Sequence, residues 1–118
     1  MKKGEIRYAS DMDDVKILEV AGYFTKDTTP DLQRVCYQLS DDENVRAVLI
    51  DFESVTHIDS SAFACMINFI RDHAKKDVAI GVVNLRYQDQ ALMDILKINP
   101  IINTYQDRAE AVSALSKQ

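Results

Sequence analysis

Residues 47–74 decide the fold, and they read AVLIDFESVTHIDSSAFACMINFIRDHA. The apolar run 47–52, broken only by Asp51, has the length and branched composition of a strand that is buried on both faces. After a polar connection over 53–57, apolar residues return at three- and four-residue spacings, which predicts an amphipathic helix. The inward stripe of this helix is predicted to hold Phe63, Met66, Ile67, Ile70 and Ala74.

Two hydroxyls and a carboxylate mark the start of this helix, on Asp59, Ser60 and Ser61. One interpretation is capping, because Asp and Ser oxygens accept hydrogen bonds from the free N–H groups of a first helical turn. The other is that one serine accepts a phosphoryl group, whose charge of about −2 is well tolerated at a helix N-terminus. A partner docked there would then meet a new dianion. The local pattern favours capping but leaves both interpretations open.

The composition narrows the class of protein. The 118 residues, 47% hydrophobic and 28% charged, are expected to form a single domain over 1–118. A net charge of −5 and a pI near 4.9 argue against partners such as nucleic acid or an anionic membrane surface. No apolar run could span a bilayer, and residues 1–14 are too polar for a signal peptide. Cys36 and Cys65 are expected to be buried free thiols, with one disulfide left open, and the expected location is the cytoplasm.

The rest of the chain alternates short apolar runs with amphipathic stretches, which predicts strands alternating with helices. Before the strand and helix above, the predicted elements are an edge strand over 5–9, a turn at 11–14, a strand over 15–21, a loop over 22–30, and a helix capped by Thr28 or Thr29. After them come a strand over 78–83 and a helix that ends at Asn99–Pro100 and is marked by Tyr87, Ala91, Leu92, Ile95 and Leu96. The last elements are a strand over 101–105 and a helix over 107–115 with Ala109, Val112 and Leu115 inward. This order predicts an α/β domain with a mixed, mostly parallel sheet of four to five strands and about four helices.

The sequence signatures of catalysis and of cofactor binding are missing, so neither an enzyme nor a bound metal or cofactor is expected. His57 and His73 lie a full helix apart, and no Cys-x-x-Cys or His-x-x-x-His spacing occurs. Three glycines build no phosphate loop. A hydrolase using Ser60 or Ser61 lacks a glycine-flanked nucleophile turn. The chain lacks the acidic pair and the late lysine that a response-regulator receiver needs beside Asp51. This aspartate is expected to face a loop and to accept hydrogen bonds from backbone amides.

Segment 48–61 resembles the corresponding part of the STAS domain family, in particular the bacterial anti-sigma-factor antagonists. Its apolar strand, short linker and Asp-Ser-Ser sequence are similar to the family's signature, and weaker similarity extends over residues 5–115. Two short segments differ from the family's usual pattern. This chain has Ala62-Phe63-Ala64 in place of Gly-Leu-Gly, and it has Gly22-Tyr23-Phe24-Thr25 in place of Gly-Glu-Leu-Asp.

The resemblance implies a bacterial, cytoplasmic binding protein that takes part in transcription regulation. By position in the motif, Ser61 is the residue that a partner kinase phosphorylates, with Ser60 as the alternative. The implied partners are an anti-sigma factor that doubles as a serine kinase and a phosphatase that restores the unmodified form. The unphosphorylated protein would capture the anti-sigma factor, and phosphorylation would release it.

A second role is open within the same family, because STAS domains also serve as cytoplasmic parts of anion transporters and of lipid-transport machines. In such a membrane transport complex the same helix face would be a permanent interface, and Ser61 would be a cap. The surface around Tyr23, Phe24 and Phe63 is predicted to be the docking patch, because exposed aromatic residues are natural anchors. Two alternatives stay open, namely that Phe63 is a core residue and that Tyr23 only covers a loop. The predicted partner-binding residues are Asp59, Ser60, Ser61, Phe63, Tyr23, Phe24 and Thr25.

Overall fold

The computed structural model describes residues 4–12, 14–73, 78–95 and 103–116. Its strands are β1 (Glu5–Met12), β2 (Val15–Phe24), β3 (Ala47–Ile58), β4 (Ala79–Val83) and β5 (Asn103–Tyr105). Its helices are α1 (Thr29–Ser40), α2 (Ser60–His73), α3 (Tyr87–Ile95) and α4 (Arg108–Ser116). The predictions that concern Ala74, Leu96, Asn99–Pro100 and Ile101–Ile102 lie outside the described residues.

The described strands form one sheet in the order β1-β2-β3-β4-β5. β1 runs antiparallel to β2, and the other neighbouring pairs are parallel. The predicted α/β fold with a mixed, mostly parallel sheet is therefore confirmed. Because β2, β3 and β4 are parallel, their carboxyl ends meet at one edge of the sheet, which we name the carboxyl edge. Helices α1, α2 and α3 each begin there.

The helices divide unequally between the two faces of the sheet. The larger core joins α1, α2 and α3 to one face through residues that include Leu32, Met66 and Met93. The smaller core lies on the opposite face, where Val112 and Leu115 of α4 pack. Since each fully buried large apolar side chain contributes about 1.5–3 kcal/mol, the first core holds the three helices firmly in one layer. The N-termini of these helices are thereby fixed side by side at the carboxyl edge.

β2 and β3 extend further than the sequence predicts. The loop predicted over 22–30 and the connection predicted over 53–57 are both wrong in part, because β2 continues to Phe24 and pairs with Ile58 at the end of β3. The pairing register shifts at two places along this pair, as it does where a strand carries bulges. Gly22, with a φ of 77°, lies at the second shift. Because the bulges interrupt the alternation of buried and exposed residues, residues 53–57 of β3 lack the sequence pattern of a strand and resemble a loop.

Helix α3 is present where the sequence predicts a helix, but three of the apolar residues that mark it do not face the core. Tyr87, Leu92 and Ile95 are 86%, 36% and 74% exposed. Asp89 and Met93 are buried instead. The carboxylate of Asp89 accepts a 2.8 Å hydrogen bond from a guanidinium in the preceding turn, and Met93 joins the larger core. The inward face of this helix therefore includes a buried carboxylate, which an apolar pattern does not indicate.

Two smaller predictions also need correction. Ala109 is exposed, whereas its neighbour Ala111 is buried on the inward face of α4. Both cysteines are free, and Cys36 is buried as predicted, but Cys65 is exposed. Burial raises the pKa of the Cys36 thiol to about 12, so this group stays protonated at neutral pH.

Candidate functional site

The site lies at the carboxyl edge, where β3 turns into α2. The N–H of Asp59 donates a 3.1 Å hydrogen bond to the carbonyl of Phe24, the last residue of β2. This bond continues the pairing of β2 with β3 for one residue beyond Ile58. The start of α2 is therefore tied directly to the chain that leaves β2 towards α1.

Asp59 is the N-cap of α2. One carboxylate oxygen, Oδ1, accepts a 2.7 Å hydrogen bond from the backbone N–H of Ala62. The carbonyl of the same residue accepts the first hydrogen bond of the helix, from the N–H of Phe63 at 3.1 Å. Both contacts are those of an aspartate that caps a helix. The capping interpretation is therefore confirmed for Asp59, whereas neither Ser60 nor Ser61 makes a capping bond within the described residues.

Ser60 and Ser61 are exposed in the first turn of α2. Within the described part of the chain, no hydrogen bond links either hydroxyl to another group. Both serines lie near the positive end of the helix dipole, where an added negative charge typically gains 0.3–1 kcal/mol. The site can therefore present two hydroxyls to a partner, and it can carry an added dianion without loss of a cap.

Two of the aromatic residues predicted as exposed anchors are buried. Phe24 is fully buried and makes an edge contact with the ring of Phe52, with centroids 5.5 Å apart. Phe63 is only 3% exposed, because it occupies an inward position of α2. The prediction that Phe24 is an exposed anchor is wrong, and of the two positions left open for Phe63 the structure shows the buried one, in the stripe predicted for α2. Tyr23 is partly exposed, and its ring lies 5.1 Å from that of the exposed His57.

Thr25 begins the connection from β2 to α1. Its carbonyl accepts hydrogen bonds from the N–H of Thr28 at 3.0 Å and from the hydroxyl of Thr29 at 3.3 Å. These contacts close the connection into a tight turn at the carboxyl edge. Thr28 is the N-cap residue of α1, as one of the two predicted caps, although its side chain makes no capping bond.

A groove of 310 Å³ lies between α1 and α2. Cys65 lies in its wall, one helical turn beyond Ser61 on the same side of α2. The other lining residues are Lys26, Thr29, Pro30, Gln33, Asn68, Phe69 and Asp72.

A cluster of charged side chains lies on the face of the sheet that packs against α4, and the sequence patterns do not predict it. Asp51 is 2% exposed, and its Oδ2 accepts hydrogen bonds from Arg108 at 2.8 and 3.2 Å. The guanidinium also donates to Glu19 at 2.9 Å, and Asp51 accepts from the side chain of Asn84 at 3.0 Å. The predicted bond to a backbone amide is present too, from Glu53 at 2.9 Å, but the prediction that Asp51 faces a loop is wrong, because it lies inside β3 against α4.

This cluster anchors α4 to the centre of the sheet. The hydrogen bonds to Glu19 and then to Asp51 raise the pKa of the Arg108 guanidinium, so it is charged throughout the ordinary pH range. The partners are 57 and 89 residues away from Arg108 along the chain, and no local pattern links residues so far apart. The cluster stabilises the fold and lies away from the serines.

The two histidines are in different surroundings. His57 is exposed beside Tyr23, whereas His73 is buried, with its Nε2 2.7 Å from the hydroxyl of Ser40. Among the described residues, no three His, Cys, Asp or Glu side chains gather as they would around a metal ion. Within the same ranges, no helix is both long and apolar enough to cross a bilayer.

The chain belongs to the STAS domain family, whose model matches residues 9–111. This match includes β3, the Asp59 cap and both serines, and it confirms the resemblance seen in the sequence. No curated protein matches the chain.

Solved structures of two kinds of protein share the fold. An anti-sigma factor antagonist from Mycobacterium paratuberculosis has 20% identity and a TM-score of 0.74, with 95% of each chain covered. The phosphorylated form of the Bacillus cell fate determinant SpoIIAA has 12% identity and a TM-score of 0.67, covering 93% of this chain and 98% of that one. The murine anion transporter Slc26a9 has 14% identity and a TM-score of 0.74, covering 93% of this chain but 19% of the transporter. At these identities the similarity establishes the fold.

Proposed function

We propose that this protein is a bacterial, cytoplasmic regulator of transcription that acts as an anti-sigma-factor antagonist, by binding and without catalysing a reaction. A serine-kinase anti-sigma factor is its partner, and phosphorylation of Ser61 switches the binding off. The observation that carries the proposal is that capping at the start of α2 is done by Asp59 and not by the serines. Asp59 supplies the cap, at 2.7 Å from the N–H of Ala62, and this leaves the exposed serine hydroxyls available to a partner.

The solved relatives support this choice of function. Proteins of the same fold include an anti-sigma factor antagonist and SpoIIAA in its phosphorylated form. The STAS family model extends across the serines of this chain. Ser61 is preferred to Ser60 because it occupies the position that the family resemblance assigns to the phosphorylated serine.

The chemistry of the switch is a phosphoryl transfer. The hydroxyl oxygen of Ser61 forms a bond to the γ-phosphorus of ATP, the bond from that phosphorus to the β-phosphate oxygen breaks, and ADP leaves. The hydroxyl proton passes to a base of the kinase or to water. The product carries about −2 charge close to the carboxylate of Asp59. A partner packed against this surface would have to bury that charge, so its complex with the modified protein is weakened.

A capture experiment tests the proposal. Wild-type protein and the Ser61→Asp variant are immobilised, and proteins retained from a lysate of the source cells are identified by mass spectrometry. Wild type is expected to retain a kinase-type anti-sigma factor and Ser61→Asp to lose it. Ser113→Asp is the matched control, because Ser113 is exposed on α4 at the opposite face and should not affect capture. Equal capture of that factor by wild type and Ser61→Asp would overturn the switch.

A second candidate function is a fixed subunit of a membrane transport complex. The exposed apolar face of α3 favours it, because Tyr87 and Ile95 are 86% and 74% exposed, as expected for residues that a permanent partner covers. The fold of the murine anion transporter gives it further support. In the same experiment, this function predicts that wild type and Ser61→Asp both retain a membrane transporter, and that Ile95→Asp loses it.

A further inference from the structure

Two segments meet at the carboxyl edge through one backbone hydrogen bond. The N–H of Asp59 donates to the carbonyl of Phe24 at 3.1 Å. Lys26 follows Phe24 by two residues, and Ser61 follows Asp59 by two residues. Both segments then enter the layer of helices, one leading to α1 and the other to α2. The exposed Lys26 and the exposed Ser61 are therefore held on the same side of the sheet.

The groove between α1 and α2 gives a second, independent link between these two residues. Lys26 and Cys65 line the same groove from its two sides. Ser61 precedes Cys65 by four residues, so their Cβ atoms lie about 5–6 Å apart on one side of α2. Lys26 thus lines the groove opposite the side of α2 on which Ser61 precedes Cys65 by one turn, whereas Ser60 is rotated about 100° around the helix from Ser61.

Lys26 differs in charge from the other residues that line the groove. It is the one cation among the described residues that line the groove. Asp72, which lines the other end, is eleven residues from Ser61, or about 16 Å along the helix. Asp27 follows Lys26 in the turn, Asp59 caps α2, and His57 lies at the end of β3. Among the described residues of the groove, Lys26 is therefore the positive charge available to a phosphoryl group on Ser61, and carboxylates lie nearby.

We propose that Lys26 is the counter-charge for a phosphoryl group on Ser61, so that the modified form of the protein is stabilised by its own chain. This inference rests on the proposed function, because it assigns a role to the modified form. An ammonium beside a phosphoryl group stabilises its dianion. Lys26 would therefore keep the modified site fully charged near neutral pH. The pairing is selective for position 61, since position 60 is turned away from the groove.

The test titrates the phosphoryl group itself. Phosphoserine is placed at position 61 of the full chain by genetic encoding, and its second ionisation is followed by ³¹P NMR as pH is varied. Lys26→Gln is expected to raise that second pKa by about 0.5, as loss of one ammonium at contact distance in water would. Lys26→Arg keeps the charge and should leave the titration unchanged.

A remote lysine and a neighbouring serine supply the controls. Lys16→Gln removes the same charge from the start of β2, about 30 Å from Lys26 along the strand and far beyond the screening length of salt. It should have no effect on the titration. Phosphoserine at position 60 should respond less to Lys26→Gln than phosphoserine at position 61.

Either of two results would overturn the pairing: an effect of Lys26→Gln no larger than that of Lys16→Gln, or an equal effect at position 60. Because the phosphoserine is installed during translation, this test needs no kinase. A negative titration therefore refutes the role of Lys26 alone, and a failed capture of the anti-sigma factor refutes the proposed function alone.

Discussion

The carboxylate of Asp59 accepts a 2.7 Å hydrogen bond from the backbone N–H of Ala62, and this contact separates two tasks that the sequence places on adjacent residues. The aspartate holds the first turn of α2, and the serines after it remain exposed. The same arrangement recurs at α4, where Asp107 Oδ1 accepts a 2.8 Å bond from the N–H of Glu110. The exposed hydroxyls in its first turn therefore distinguish α2 from α4, whose first turn contains no serine or threonine.

Removal of the cap should destabilise the fold. Asp59→Ala is expected to lower the free energy of unfolding by about 1 kcal/mol, because one N–H of the first turn loses its acceptor. Urea unfolding followed by circular dichroism measures this difference. Asp59→Asn keeps an oxygen at the same place and should cost less than half as much. An unchanged stability in Asp59→Ala would contradict the assignment of the cap.

The buried cluster on the other face should matter more than a surface ion pair. Arg108→Met leaves the buried carboxylate of Asp51 without its cation, and we expect a loss of about 2 kcal/mol, less than for a fully buried pair because Arg108 is 34% exposed. The control is Arg46→Met, which breaks the more exposed 2.7 Å pair with Asp14 and should cost under about 1 kcal/mol. Equal losses in urea unfolding would show that the cluster does not anchor α4.

Gly81 leaves room for α4 on the sheet. A Cβ at this position would lie 2.9 Å from Cδ1 of Leu115 and 3.2 Å from Cε2 of Tyr105. Gly81→Ala is therefore expected to lower stability by about 1–2 kcal/mol through overpacking. In a Leu115→Ala background, which removes the nearest atom, the same change should cost clearly less. Strict additivity in this double-mutant cycle would exclude the contact as the cause.

The buried thiol of Cys36 should make stability depend on alkaline pH. Burial raises its pKa from 9.0 to about 12, so between these values the unfolded chain loses the proton while the folded protein keeps it. The contribution is complete below pH 9 and falls as pH rises, by up to about 1.4 kcal/mol per pH unit.

The stability advantage of wild type over Cys36→Ala should therefore shrink by about 1 kcal/mol between pH 9 and pH 10, because the unfolded thiol is already half ionised at pH 9. Urea unfolding under reducing conditions measures it, with Cys65→Ala, which alters an exposed thiol, as the control. An advantage that stays constant over this range would contradict the account of the buried thiol.

The fold was predictable from the sequence where hydrophobic patterns are local. The run 47–52 and the stripe on α2 predict a buried strand and an amphipathic helix, and both are present. The pattern fails where a tertiary contact decides the geometry. β3 extends to Ile58 because β2 runs beside it, and bulges hide the alternation in its polar part. The outward face of α3 follows from the buried Asp89, which the apolar stripe does not indicate.

The candidate site was predictable in part. The position of Asp59, Ser60 and Ser61 at the start of α2 follows from the sequence. Which of them caps the helix depends on the three-dimensional position of each side-chain oxygen, which the sequence does not give. Phe24 was expected outside and lies in the core, and Phe63, which the sequence assigns both to the inward stripe and to the docking patch, lies in the core too. Their burial depends on how β2 and α2 pack, so an aromatic residue close to a motif in sequence is a poor guide to an exposed anchor.

The most direct test of the central claim is phosphorylation of the chain by the kinase activity of its own cells. Wild type, Ser61→Ala and Ser60→Ala are each incubated with source-cell lysate and ATP, and the modified residue is mapped by tandem mass spectrometry. The account predicts one phosphoryl group on Ser61, retained in Ser60→Ala and lost in Ser61→Ala. Modification at another residue, or none in any of the three proteins while the lysate phosphorylates its other substrates, would contradict it.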